Sequence, residues 1–128
     1  MDFTSLGLLI LRIGLAGTMA VRHGLPKLLD FANSMHSFPD PIGLGSEVGL
    51  ALVVFAEFLC SLLIVVGVFT RFAAIPVVVA MAVAFFVVHG ADPFTKKEMA
   101  FIYLTGFACI LATGAGKFSA DALFRGKK

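Results

Sequence analysis

The chain has 128 residues, 59% of them hydrophobic and 14% charged, with a formal net charge of +2. A soluble domain carries roughly a quarter charged residues, so this composition and a mean hydropathy of +1.01 exclude a water-soluble globule and place the chain in a bilayer. The small net charge also argues against nucleic acid as a partner.

The N-terminus, Met1-Asp2-Phe3-Thr4, lacks the basic region of a signal peptide, so the first apolar run is expected to be kept. That run predicts a span over about 6–24, with Arg12 inside it. A short amphipathic helix is expected over 26–38. Pro26 suits a first helical turn, and Leu28, Leu29, Phe31, Ala32, Met35 and Phe38 recur at helical spacing. Pro39-Asp40-Pro41 ends it, and Gly43 and Gly45 lead into a second span over about 47–69, which contains Glu57. Only Thr70-Arg71 separates this from a third span over about 72–89, so the two must form a tight antiparallel hairpin. A turn-rich stretch, Gly90 to Lys97, leads to a fourth span over about 98–114. Helix is required throughout, because a lone strand in lipid leaves its backbone groups unpaired. The expected fold is all-α: a single domain, 1–128, forming an integral membrane four-helix antiparallel bundle with an amphipathic helix between the first two spans.

Four crossings put both termini on one side. Arg71, Lys117, Arg125, Lys127 and Lys128 fall there, against Arg22, Lys27, Lys96 and Lys97 opposite. Basic residues favour the cytoplasmic face, so the termini are expected to be cytoplasmic and Arg71 to anchor the topology. Gly14 and Thr18, Gly45 and Gly49, and Ala80 and Ala84 are small-residue pairs that permit close helix packing and leave a homo-oligomer open.

Ionisable groups in or beside the spans are candidate functional residues, because charge in hydrocarbon is costly. Arg12 and His23 are eleven residues apart and return to one helix face after three turns, giving a stripe Arg12, Ala16, Met19, His23. Glu57, Ser61 and Ile64 form a second stripe, and Glu98, Ile102, Thr105 and Cys109 a third. All three are expected to face inward, with a polar partner for each of Arg12, Glu57 and Glu98. By depth, His23, His89 and Glu98 share the end opposite the termini, with Lys27 at the rim and Glu57 below them. These five are the candidate ligand-binding residues. Arg12 leans away from Glu57; it and Arg71 are expected to set register or make a structural ion pair. Each His also suits a capped interfacial position. Two His and a carboxylate without metal-binding spacing do not make a metal site. Cys60 and Cys109 form no CxxC pair and suit apolar packing.

Several blocks, in order, carry a resemblance. They are 11–17 (Leu-Arg-Ile-Gly-Leu-Ala-Gly), 23–28 (His-Gly-Leu-Pro-Lys-Leu), Ala56-Glu57, and 67–74 (Gly-Val-Phe-Thr-Arg-Phe-Ala-Ala). Met81 to His89, Glu98 with Tyr103-Leu104, and 113–121 follow. Together they resemble the DoxX family of small bacterial membrane proteins, in whose last block Pro and Tyr usually stand where this chain has Ala115 and Phe118. The resemblance implies a four-helix inner-membrane protein. Some relatives look like subunits of thiosulfate:quinone oxidoreductases, and others are linked to thiol-stress complexes.

The sequence has no haem signature, flavin motif or dithiol, so no covalently bound cofactor is expected and electrons would come from a partner. Three functions remain open: a quinone-interacting subunit of a redox system with a soluble oxidoreductase partner, a membrane scaffold without small-molecule chemistry, or a small proton-coupled transporter or channel.

Overall fold

The computed structural model describes residues 2–124. Among them there is no strand. Four long helices carry the structure: α1 (Phe3–Leu29), α3 (Ser46–Val66) and α4 (Thr70–Val88), and α5 (Phe94–Thr113). Two short ones complete it, α2 (Phe31–Ser34) and α6 (Ala120–Phe124). Three of the long helices, α1, α3 and α4, are long and apolar enough to cross a membrane. α5 matches them in length but carries Lys96, Lys97 and Glu98 near its start.

α1 is longer than the expected first span. Its 27 residues reach about 40 Å at 1.5 Å per residue, against a hydrocarbon core of about 30 Å. No separate helix begins at Pro26; residues 25–29 continue α1. Pro26 follows directly on a widened turn over Met19–Gly24, where the hydrogen-bond ladder that proline would break is already displaced. The break comes at Asp30 (φ −101°, ψ 16°), whose carboxylate accepts from Asn33 Nδ2 (2.9 Å) and Ser34 Oγ (2.7 Å). These bonds, Asn33 first, hold the Asp30 carboxyl below the usual carboxylate range. The expected amphipathic helix is thus divided, and only α2 stands apart from the first span.

Asp2 starts α1, accepting from the Ser5 backbone N–H (3.2 Å) and hydroxyl (2.9 Å). Lys117 closes on it at 3.3 Å. The Ser5 hydroxyl, then the Ser5 N–H, hold the Asp2 carboxyl below its usual range, with Lys117 assisting. A lowered folded pKa gives stability that is present above the unfolded pKa of about 3.9 and is lost as pH falls through the folded value. Asp2→Asn is therefore expected to remove part of the acid sensitivity below that pH, read as a flatter pH profile of the unfolding midpoint. An unchanged acid profile contradicts this.

The hairpin turn lies at Gly67–Phe69 rather than at Thr70-Arg71, which open α4. Gly67 takes φ +85°, and the N–H groups of Gly67 and Val68 both return to Leu63 O. A Cβ on Gly67 would collide with Ser119. Asp121 caps the start of α4 from outside, accepting from Phe69 N (2.7 Å) and Thr70 N (3.0 Å).

The core lies where α1, α3, α4 and α5 meet, around Met19, Ile64, Val77, Met81, Phe107 and Ile110. α1 and α3 approach closely at Gly24, where a Cβ would stand 2.6 Å from Glu57 C and Phe58 N. Those atoms are backbone and cannot swing aside. Gly24→Ala is therefore expected to cost about 3 kcal/mol, the upper end of ordinary overpacking, measured as a lowered thermal midpoint in detergent. A wild-type midpoint would contradict the close approach.

Candidate functional site

Widened, π-helical turns mark the places where polar groups enter the bundle. They lie at Arg12–Ala16, Met19–Gly24, Phe55–Cys60 and Ala84–Val88. Arg12, His23 and Glu57 sit inside such turns, and His89 directly follows one. Turns of this kind recur at functional sites. They also change which residues share a face. On α1 the expected stripe holds for Arg12, Ala16 and Met19, which are all buried, but the buried face then passes through Ala20 to Gly24, a step of four rather than 3.6. His23 is thereby rotated to the margin of the core, where its ring meets Tyr103 edge-on at 5.4 Å.

Lys27, one turn beyond His23, reaches back into the bundle. Its Nζ stands 2.7 Å from Glu57 Oε1 and 3.5 Å from His23 O. The Glu57 side chain is 8% exposed and that of Lys27 31%, so the carboxylate is buried and the ammonium covers it. Glu57, Ser61 and Ile64 all face inward, as the second stripe predicts.

The pair borders a cavity of about 550 Å³. Its walls are mainly apolar side chains of α3 and α4, such as Leu52, Phe55, Val79 and Ala84. The loop from Phe38 to Leu44 lies over it. That loop is tied down by Ser46 Oγ donating to Phe38 O (2.8 Å) and by Gly45 N donating to Asp40 Oδ1 (3.1 Å). His89 also lines the cavity, its Nδ1 2.9 Å from Asp92 Oδ2. An apolar chamber with a few convergent polar groups is the usual form of a small-molecule site.

The structure thus brings Lys27, Glu57 and His89 to one cavity and leaves His23 behind Lys27, against Tyr103. Glu98 does not join them. It is exposed and lines a separate groove with Ile10, Gly14 and Thr18. The whole Glu98, Ile102, Thr105, Cys109 stripe faces outward, because α5 buries its larger apolar side chains Tyr103, Phe107 and Ile110 instead. Among the described residues no three His, Cys, Asp or Glu cluster to hold a metal ion.

Arg12 serves the opposite end. It is 1% exposed and donates to four backbone carbonyls: Ile64 O (2.9 Å), Val65 O (2.9 Å), Ala115 O (3.0 Å) and Phe118 O (2.9 Å). The first two are near the C-terminus of α3, where carbonyls lack helical partners and the helix dipole is negative. Arg12 therefore fixes register by gripping backbone rather than by pairing with Glu57. Ala115 and Phe118 contribute through their carbonyls, which is why departure from Pro and Tyr at those positions costs the site nothing. Arg71 donates to Ala112 O (3.0 Å) at the C-terminus of α5, a helix cap rather than an ion pair. Arg125 to Lys128, which weigh on the expected orientation, lie outside the described residues.

Sequence reasoning missed Asp92, Asp121 and the role of Gly24. Asp92 lies three residues from His89 in a turn, and that short spacing was the available signal.

A family model described as DoxX matches residues 7–90, so the later blocks from Glu98 onward fall outside the matched stretch. Two curated proteins of Haemophilus influenzae (strain ATCC 51907 / DSM 11121 / KW20 / Rd) are similar, each described as an uncharacterized protein. One is 28% identical over 130 residues, covering 95% of this chain and 85% of its own length. The other is 33% identical over 113 residues, covering 83% and 82%. No solved structure matches the chain. With the family model spanning most of the chain and three helices fit to cross a bilayer, the chain belongs to the DoxX family of membrane proteins.

Proposed function

We propose that the protein is a multi-pass subunit of a redox system in the bacterial inner membrane, and that the cavity beside Lys27 and Glu57 takes a quinone-like amphipathic molecule. In this reading α5 is the fourth crossing, its charged start lying at the interface, and both termini are cytoplasmic. The observation that carries the reading is the 2.7 Å ion pair between the buried Glu57 carboxylate and the half-buried Lys27 ammonium in the wall of an apolar cavity of about 550 Å³. Small-molecule sites commonly enclose about 300–1,000 Å³.

The chemistry follows from the groups present. Lys27 can donate to a quinone carbonyl oxygen while Glu57 holds the ammonium in place. His89 lines the same cavity, and imidazole is the side chain suited to relaying the protons. Reduction to quinol takes two electrons and two protons; a soluble oxidoreductase partner supplies the electrons at the membrane surface.

The test is photolabelling of the membrane-embedded protein with an azido-quinone. The expected label falls on residues of α3 and α4 that line the cavity, such as Phe55 and Val79, and excess unlabelled quinone competes it away. Label scattered over the lipid-facing surface, or insensitive to competition, overturns the reading and favours the scaffold.

A further inference from the structure

Glu98 lines a second concavity, an open groove of about 670 Å³ between α1 and α5. Ile10, Gly14 and Thr18 form one wall, and Met99 and Ile102 the other. Among the described residues Glu98 is the one charged residue lining it. A Cβ on Gly14 would meet nothing within 4 Å, so the protein does not fill the groove itself. Ile10 to Thr18 lie within the apolar helix Phe3–Leu29, so this face is covered by the bilayer over about 12 Å of depth.

Charge selects the occupant. Two cations neighbour it: Lys97 turns elsewhere, its Nζ 4.7 Å from the centre of the Phe85 ring and 3.4 Å from Gly90 O, and Arg22 stands exposed four residues beyond Thr18 on α1, where it can meet the phosphate of a lipid whose ammonium meets Glu98. No cation of the described residues forms an ion pair with Glu98. A second copy packed symmetrically through the groove would bring the two Glu98 carboxylates together at equal depth, which like charges oppose. A lipid has no such conflict: an acyl chain fits the apolar walls, and a cationic headgroup meets the carboxylate.

We propose that this groove binds a glycerophospholipid whose headgroup ends in a primary ammonium, with one acyl chain over Gly14 and the ammonium donating to Glu98. The test is native mass spectrometry of the full chain released from nanodiscs of equimolar phosphatidylethanolamine, phosphatidylglycerol and phosphatidylcholine. Preferential retention of phosphatidylethanolamine is expected. Glu98→Gln should lower that retention roughly tenfold or more, the value of one charge-assisted hydrogen bond. Gly14→Leu should fill the groove and abolish retention while leaving the thermal midpoint unchanged. Equal retention of the three lipids, or a preference indifferent to both substitutions, overturns the proposal. So does a dimer that Gly14→Leu converts to monomer, which identifies a second copy as the occupant. Neither substitution touches Lys27, Glu57 or their cavity, so the outcome is independent of quinone binding.

Discussion

Replacing Arg12 by methionine is expected to unfold the protein or prevent its accumulation in membranes. The substitution keeps much of the apolar stem and removes every donor. Ile64, Val65, Ala115 and Phe118 then keep carbonyls with no guanidinium to receive. Each buried unsatisfied polar group costs about 1–3 kcal/mol. The bonds to Ile64 O and Ala115 O are fully buried and those to Phe118 O and Val65 O partly so, and their combined loss is a large share of a total stability of about 5–15 kcal/mol. Arg12→Lys should recover little, because an ammonium presents its donors from one point and cannot fork across acceptors from α3 and the 115–118 loop. The measurement is thermal unfolding in mild detergent, with expression level as the second readout. A lysine variant as stable as wild type contradicts the forked grip.

The second large effect concerns Lys27 and Glu57. Lys27→Met leaves a buried carboxylate without its counter-charge, and Glu57→Leu strands the ammonium. Breaking one partner of a fully buried pair costs about 3–5 kcal/mol, whereas replacing both with apolar groups of similar size is often neutral; here the Lys27 side chain is 31% exposed, so Lys27→Met is the more costly of the two and Glu57→Leu falls below that range. Lys27→Met should therefore be strongly destabilised and Glu57→Leu less so, and the double variant should return most of the way to wild type. This non-additivity separates the pair's part in folding from its part in chemistry, because the double variant is folded yet has lost both charges. Additive losses would mean that the 2.7 Å contact contributes nothing of its own.

Much of the fold was legible in the sequence. The apolar runs located the long helices, the short interval near residue 70 located the hairpin, and the isolated Glu57 was correctly turned inward. The polar site was legible only in part, for identifiable reasons. The four widened turns have no residue signature, yet each inserts an offset into the helical face. A stripe extrapolated at 3.6 residues per turn from Arg12 therefore lands on His23, one residue short of the buried Gly24. On α5, weight given to Glu98 hid the larger driving force, burial of Tyr103, Phe107 and Ile110. Arg12 binds main-chain carbonyls, which every residue has, so no pattern of side chains announces them. Lys27 and Glu57 were both selected, but their pairing depends on the close crossing of α1 and α3 at Gly24. A single glycine in a chain with 13 of them does not stand out.

Quinone occupancy of the cavity beside Lys27 and Glu57 can be measured on the purified protein. The most direct measurement is the quinone extracted per mole of purified protein from wild type and from the Lys27→Met/Glu57→Leu double variant, compared at matched thermal stability in the same detergent. Near-stoichiometric quinone is expected in the wild type and a loss of roughly tenfold or more in the double variant, from removal of a charge-assisted hydrogen bond. Equal quinone in both, or none in either, would contradict it.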